Sequence, residues 1–354
     1  MTAVRLAEKL ELKVFCVGGV YLHHAGRSGY GLLEQYLGER WGPHPLVKWL
    51  GDGVLRIPAR MLCSHCGLFE YSRENLVAEL ALIPRYLSTS NCVWHFLYAE
   101  KQYLLTAFAP RGYRRWCVGT FHHHPAKFSY MVQRTAHYRT LALAIAVSTV
   151  QIEFLEKIVG KDRVVFVPHG IDTDYWTPGP SVEYPPRNVL VFAGCHMRDF
   201  ATLGRVIDDV LRWRKDLEFV LISPERECGQ IYRKHNVRWL YRIPDNEYLR
   251  WMQQAALLVL PLKFSTAVNT VLEALACGTP VVTTEGGISD YLDDSCSVQL
   301  KRGDAQGMAR AILELVDSPE TLTQMRSAAR QKALEFSWPK VAARIRKIFA
   351  ERFA

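Results

Sequence analysis

Short apolar runs alternate along the chain with longer segments whose apolar residues recur every three or four positions. The short runs predict buried strands and the longer segments predict amphipathic helices, so the alternation indicates an α/β fold with parallel sheets. Strands are predicted near 13–18, 92–98, 116–121, 142–148, 163–167, 188–193, 218–222, 237–241, 256–261, 280–284 and 297–300. Helices are predicted near 30–39, 72–87, 127–139, 149–159, 199–214, 246–254, 270–277 and 303–317.

A proline-rich stretch at 168–186 separates the two runs of alternation and is interpreted as a linker. Since 354 residues exceed what one core usually holds, we predict two doubly wound, Rossmann-like domains, at 1–168 and 169–336, facing a cleft. Residues 337–354 carry an apolar stripe at helical spacing. They are predicted to form a C-terminal helix that crosses back to the first domain and docks across both.

Positive charge is concentrated in the first half of the chain. The formal net charge is +9, and residues 1–168 hold 20 Lys and Arg against 12 Asp and Glu. No acidic residue lies between Lys101 and Ile152, whereas that stretch holds seven basic ones. Such a field favours an anionic partner, either an anionic membrane surface or an anionic acceptor. Nucleic acid ranks last among the partners, because no recognition motif accompanies the charge.

Neither a signal peptide nor a membrane span is expected from the sequence. The first residues lack the apolar core of a signal peptide, and no apolar run reaches the length of a span. A cytoplasmic location is therefore expected, with peripheral contact at the inner face of the cell membrane left open.

The segment "NTVLEALACGTPVVTTEGG", 269–287, predicts a helix, a strand and a Gly-Gly turn. Asn269 or Thr270 can cap the helix, and Thr270 and Glu273 have the spacing of a capping box. Two interpretations stay open at this point. Either Glu273 caps its own helix, or the helix end holds a phosphate and Glu273 holds the sugar hydroxyls beside it.

Other candidate residues follow predicted strands. Gly29 and Gly31 open a helix in "SGYG", and Arg198 begins a helix in "GCHMRDF", where a guanidinium could clamp a diphosphate. In "GTFHHHP" we favour His122 as one functional histidine over a metal site, since neighbours on an extended run point in opposite directions.

No metal site is predicted anywhere in the chain. Asp172-x-Asp174 is interpreted as turn chemistry, and the Cys63-x-x-Cys66 pair as structural, since one pair is only half a zinc site.

These segments resemble the family-four retaining glycosyltransferases of the GT-B fold. The resemblance rests on "RVVFVPHGIDTDYWTP", "VRWLYRIPDNEYLRWMQQAALLVLPL" and "NTVLEALACGTPVVTTEGGISDYL". It implies a retaining, metal-independent enzyme that moves a sugar from a UDP- or GDP-linked donor to a glycan, lipid-linked or small-molecule acceptor. No cofactor is expected, because the nucleotide-diphosphate sugar is a substrate.

The resemblance also implies roles for single residues. It assigns catalytic roles to His122, Arg198 and Glu273. It assigns donor binding to Gly29, Tyr30, His196, Arg242, Ile243, Ser265, Asn269, Thr270 and Val271. The family usually has a glutamate where this chain has Ser265. The alternative is therefore a catalytically weakened relative that binds a nucleotide sugar or an anionic polymer without transfer.

Overall fold

The structure of the protein is a computed structural model with two compact units. It describes residues 12–18, 27–41, 57, 61, 70–179, 188–224, 228–229 and 231–353. Unit 1 comprises Met1–His24, Gly29–Gly170 and Trp338–Ala354, and unit 2 comprises Ala25–Ser28 and Ile171–Ser337. The Cys63-x-x-Cys66 pair lies outside the described residues.

Unit 1 is built on a six-stranded parallel sheet of order β2-β1-β3-β4-β5-β6. The chain runs from β1 outward to β2 and then returns to the other side of β1, so its direction reverses between β1 and β3. The strands are Lys13–Val17 (β1), Glu39–Trp41 (β2), Cys92–Phe96 (β3), Arg115–Phe121 (β4), Leu143–Ala146 (β5) and Val164–Phe166 (β6).

Helices cover this sheet, and the central strands are apolar and buried because both faces are packed. The α-helices described in unit 1 are Glu34–Leu37, Arg73–Ser88, Ala99–Gln102, Pro125–Met131, Ile152–Val159 and Trp338–Phe353. Single 3-10 turns span Tyr30–Leu33, Leu105–Phe108, Ala136–Thr140 and Thr149–Gln151. The predicted helix at 127–139 is thus wrong in its extent, because the α-helix ends where Val132 adopts an extended backbone and buries its side chain.

Unit 2 holds a second six-stranded parallel sheet, of order β12-β11-β10-β7-β8-β9. This is the Rossmann order, in which the chain direction reverses between β7 and β10. The strands are Val189–Ala193 (β7), Glu218–Ile222 (β8), Val237–Leu240 (β9), Leu257–Leu260 (β10), Val281–Thr284 (β11) and Ser297–Leu300 (β12). The α-helices described are Phe200–Trp213, Asp245–Gln254, Asn269–Ala276, Ala305–Val316 and Pro319–Glu335, with 3-10 turns at Ile231–Arg233 and Gly287–Tyr291.

Part of the predicted linker belongs to the core of unit 2. Ile171 and Trp176 are both 3% exposed and lie in the apolar cluster of that unit. The Arg330 guanidinium donates to the carbonyl oxygens of Thr173, Trp176 and Ala276, at 2.8–3.0 Å. The linker interpretation is therefore wrong for 171–176.

The turn prediction for Asp172 is confirmed. Its carboxylate oxygen Oδ1 accepts hydrogen bonds from the backbone N–H groups of Asp174 and Tyr175, at 3.2 and 3.1 Å. A short acidic side chain that bonds the backbone two residues on is typical of a turn.

The helix Trp338–Phe353 is counted with unit 1 and is anchored there at both ends. Trp338 packs edge-on against Tyr30, and Phe353 stacks on Trp116. Its docking across both units stays a prediction. Within the described ranges, each helix is either too short or too polar to serve as a membrane span.

Glu79 generates a prediction about the stability of unit 1. It is 1% exposed, and its carboxylate accepts from the Leu104, Leu105 and Thr106 N–H groups at 2.9–3.1 Å, and from the hydroxyls of Thr106 and Tyr71. Glu79→Ala leaves these donors buried without an acceptor. We expect it to lower the free energy of unfolding by at least about 3 kcal/mol in chemical denaturation. Glu153→Ala, at an exposed helical glutamate of the same unit, should leave the free energy of unfolding almost unchanged. Equal losses would contradict the prediction.

Candidate functional site

The candidate site of unit 2 begins where the chain direction reverses. In doubly wound sheets, ligands bind outside the carboxyl ends of the strands at this point. The loops that leave β7 and β10 are joined there by backbone hydrogen bonds, from Asp199 N to Pro261 O and from Lys263 N to Met197 O, both 2.9 Å. The sheet therefore fixes both loops relative to each other.

Arg198, in the loop after β7, is 8% exposed. Its guanidinium donates to the carbonyl oxygens of Ala193 and His196 at 3.0 Å and to Thr270 Oγ1 at 3.1 Å. Gly194, with φ +85°, leaves room for the Arg198 side chain. A Cβ at this position would lie 3.0 Å from the guanidinium. Burial lowers the pKa of Arg198 to about 10, so the group still carries its charge at neutral pH.

The helix Asn269–Ala276 follows β10, and Thr270 in its first turn is the residue that Arg198 contacts. Its N-cap is Val268, whose apolar side chain accepts no hydrogen bond, and no side chain among the described residues caps the helix. The predicted cap by Asn269 or Thr270 and the predicted capping box are therefore wrong, because the helix begins at Asn269 and Glu273 lies in its second turn. An uncapped helix start beside a buried guanidinium is an arrangement that can bind an anion.

Glu273 points its carboxylate at two hydroxyl groups rather than at its own helix end. Oε1 accepts from Ser28 Oγ at 2.5 Å, and Oε2 accepts from the Tyr248 hydroxyl at 2.9 Å. Glu273 is 5% exposed, and burial raises its pKa, while the two hydroxyls and the charge of Arg198 oppose that rise. Both carboxylate oxygens of Glu273 thus hold hydroxyl groups of unit 2, and the role of Glu273 in ribose binding stays a prediction.

Sequence reasoning missed both hydroxyl partners. Ser28 stands directly before the glycine that was singled out, and the polar character of the "SGYG" run was an available signal. Tyr248 lies on the helix Asp245–Gln254, shortly after Arg242 and Ile243, and nothing in its sequence context marks it.

The other residues of unit 2 that are predicted to bind the donor differ in their exposure and in their contacts. Ser265 Oγ accepts from the Ile288 N–H at 3.1 Å, so it holds the turn after β11. Arg242 is exposed in the left-handed region, φ +54°, with its guanidinium over the Tyr241 ring. His196 is exposed, Ile243 is partly buried, and Asn269, Thr270 and Val271 form the first turn of their helix. The donor-binding roles of these residues stay predictions.

In unit 1 the predicted residues meet around Tyr30, which is fully buried. Its N–H donates to the Tyr98 hydroxyl at 3.1 Å, and its ring meets the His122 ring edge-on at 4.8 Å between centroids. Nε2 of His122 lies 2.8 Å from the Leu97 carbonyl oxygen and must carry a proton, because a carbonyl only accepts. Gly29 precedes Tyr30 at φ 103°, a conformation that favours glycine.

The three consecutive histidines take three different partners. His122 bonds the Leu97 carbonyl, His123 Nε2 lies 2.7 Å from Glu70, and Nδ1 of His124 accepts from the backbone N–H two residues on, which caps a helix. Burial raises the pKa of Glu70, but the His123 hydrogen bond and two neighbouring lysines hold it well below its usual range.

A polar chain behind Tyr30 was also missed. His95 Nε2 lies 2.7 Å from Thr120 Oγ1, and Thr120 donates to the Tyr30 hydroxyl at 3.3 Å. Burial lowers the pKa of His95 to about 3, so this imidazole is neutral. His95 lies inside the buried strand β3, and the sequence pattern there predicts only a strand of the hydrophobic core.

Comparison with protein families and curated proteins points to one family. Residues 187–318 match the family model described as "Glycosyl transferases group 1". The D-inositol 3-phosphate glycosyltransferase 1 of Catenulispora acidiphila is 34% identical over 108 residues, which are 30% of this chain and 26% of that protein. The alpha-maltose-1-phosphate synthase of Mycobacterium tuberculosis is 26% identical over 246 residues, 60% of this chain and 63% of that protein. The chain thus spans less than two thirds of either curated relative.

Solved structures share the fold. Anabaena HepE, solved in complex with UDP, has a TM-score of 0.67 at 15% identity, and the match covers 96% of this chain and 100% of that one. TarM of S. aureus, solved as a point mutant with UDP, Fondaparinux and alpha-GlcNAc-glycerol, has a TM-score of 0.62 at 13% identity, over 77% of this chain and 59% of that one.

The fold expected from the sequence is confirmed: the protein has the GT-B fold, and its residues 187–318 match the family model of the glycosyl transferases group 1.

Proposed function

We propose that the protein is a retaining, metal-independent glycosyltransferase that uses a UDP-linked sugar as its donor. One observation carries this proposal: Glu273 holds two hydroxyls beside an uncapped helix start where Arg198 is buried. A nucleoside diphosphate has the matching groups, a ribose diol and a diphosphate. The UDP in the complexes of HepE and TarM favours uracil over guanine.

In the proposed mechanism, the diphosphate lies at the start of the helix Asn269–Ala276. The bond between the sugar C1 and the diphosphate oxygen breaks, and negative charge develops on that oxygen. Arg198 and the first amides of the helix stabilise this charge without reorganising, because both are already in place. With a full positive charge and a helix dipole at the leaving group, the step needs no metal ion.

Retention follows if the acceptor oxygen attacks C1 on the face from which the diphosphate leaves. The acceptor then gives its proton to the departing phosphate oxygen, so no protein nucleophile is required. His122 of unit 1 is the predicted contact of the transferred sugar. The acceptor, whether a glycan, a lipid-linked sugar or a small molecule, is expected to bind unit 1.

The alternative, a relative that binds a nucleotide sugar without transfer, is favoured by one observation. Ser265 replaces the usual glutamate, and its hydroxyl is already used by the Ile288 N–H. No carboxylate charge is available from that residue to hold the sugar ring.

Calorimetric titration with UDP and GDP, in the presence of a chelator, tests donor binding, and proton NMR of the product anomer tests retention. We expect UDP to bind with the chelator present and the product to keep the donor configuration. Binding without turnover would support the alternative. Absence of binding by both nucleotides would overturn both functions.

Glu273→Ala tests the ribose contact. Because a hydrogen bond to a charged group contributes about 1.5–3 kcal/mol, we expect the UDP dissociation constant to rise by about 10- to 100-fold. The matched control is Glu314→Ala, at an exposed helical glutamate of the same unit, which should leave the constant unchanged. A variant that melts earlier but binds UDP normally would contradict the ribose role.

Arg198→Lys tests the leaving-group contact while keeping the charge. The lysine cannot reproduce the fork that reaches both backbone carbonyls and Thr270. We expect kcat to fall by about 100-fold or more, with a smaller change in UDP affinity. Arg310→Lys, at an exposed position of unit 2, is the control. Unchanged kcat in the Arg198 variant would exclude the assigned role.

Ser28→Ala tests whether Ser28 competes with the ribose. Its hydroxyl takes one acceptor position on Oε1 of Glu273, and we expect a ribose hydroxyl to bind in its place. Because a net hydrogen bond contributes about 1 kcal/mol, we expect the variant to bind UDP about fivefold more tightly. Weaker binding in calorimetry would show instead that Ser28 contributes to the nucleotide site.

A further inference from the structure

A cavity of about 360 Å³ opens at the amino-terminal edge of the unit 1 sheet. Arg115 begins β4, Ala142 precedes β5 and Arg163 precedes β6, and all three line it. The first three residues of β4, up to Cys117, line the cavity, and His122 follows the carboxyl end of this strand, five residues beyond Cys117. At about 3.3 Å per residue, that is roughly 16 Å. The cavity is therefore distinct from the site around His122.

The lining of this cavity is strongly basic. Its described lining residues include Arg111, Arg114, Arg115 and Arg163, and none of them is an aspartate or glutamate. Three of these four arginines belong to residues 101–152, which hold no aspartate or glutamate and are here named the acid-free stretch.

These arginine charges are held in place but not neutralised. Three of the guanidinium groups donate to neutral oxygens, namely the carbonyls of Leu87, Thr89, Pro110, Arg139, Leu141 and Phe353 and the side-chain amide of Asn91. Arg111 is exposed at the rim. In the part of the chain that the structure describes, none of the four forms an ion pair with a carboxylate.

Aromatic side chains also line the cavity. The Arg115 guanidinium lies 4.7 Å from the centre of the Tyr86 ring, and the Arg114 guanidinium lies 5.8 Å from that of Trp116. Tyr103, which also lines the cavity, uses its hydroxyl on Thr140. Rings packed under guanidinium groups offer apolar area beside positive charge. Such a lining suits a ligand with an anionic group at one end and an apolar body at the other.

We propose that this cavity is a second ligand site, which binds a phosphate group attached to an apolar moiety. Phosphate is the anion that forked guanidinium donors match best. The volume lies within the usual range for small-molecule sites, about 300–1,000 Å³. The same chemistry is offered by a free organic phosphate and by the head group of an anionic phospholipid. The site does not depend on the proposed donor site or on sugar transfer.

The test uses phenyl phosphate as the soluble probe, measured by calorimetry, with phenol and inorganic phosphate as its two halves. Phosphatidylcholine vesicles with and without phosphatidylglycerol, measured by co-sedimentation, represent the lipid source. We expect Arg111→Ala to weaken binding by at least about tenfold. Arg134→Ala is the matched control, because Arg134 is exposed, lies in the same acid-free stretch and does not line the cavity. It should change binding by less than about twofold.

Ala107→Phe supplies a second variant, since Ala107 lines the cavity and a ring there fills its volume. It should abolish phenyl phosphate binding and leave UDP binding unchanged. If only phosphatidylglycerol vesicles bind, with the same loss in the Arg111 variant, the proposal stands with lipid as the source. No binding of any probe would overturn it. Equal losses in the Arg111 and Arg134 variants would overturn it too, because they indicate diffuse charge attraction.

Discussion

Two opposite charges are buried in unit 2, and each is hydrogen-bonded to neutral groups of that unit. Arg198 bonds two carbonyls and Thr270, whereas Glu273 bonds Ser28 and Tyr248. Burying a charge without hydrogen bonds is very costly, so this network constrains everything around it. Both charges keep these hydrogen bonds only if the surrounding backbone stays in place. That backbone comprises the strand ends, the glycine turn after β7 and the uncapped helix start. Under the proposed function, the same constraint keeps the site preorganised for a nucleoside diphosphate.

The sequence allowed most of the elements to be predicted, for a physical reason that also explains the failures. Strands of a doubly covered parallel sheet are short apolar runs, and β8 and β12 have the predicted bounds. The helix Pro319–Glu335 was not predicted, because it is polar along most of its length and buries only a few side chains such as Leu322 and Ala329. The strand β2 was missed because it has three residues, two of them exposed.

The site was predictable only in part. Arg198 follows a strand end and Glu273 lies close to a predicted helix start, so local pattern was enough to single them out. The contacts that explain them join residues 245, 72 and 25 positions apart, and such contacts exist only once the fold brings them together. The interpretation of Glu273 as a cap was wrong because the N-cap, Val268, lies two residues before Thr270, which moves Glu273 from the first turn of the helix into the second.

The helix Trp338–Phe353 completes the unit whose other residues precede unit 2 in the chain. Ile345 and Phe349 are buried in that unit, with Phe349 against His95. During translation, the apolar surface of unit 1 that this helix covers thus stays exposed until the ribosome has synthesised all of unit 2. Unit 2 needs no later residue than Ser337 and can close first. The amino-terminal unit, although synthesised earlier, is therefore the last to reach its native packing, and a nascent chain arrested before residue 338 would be a target for chaperones.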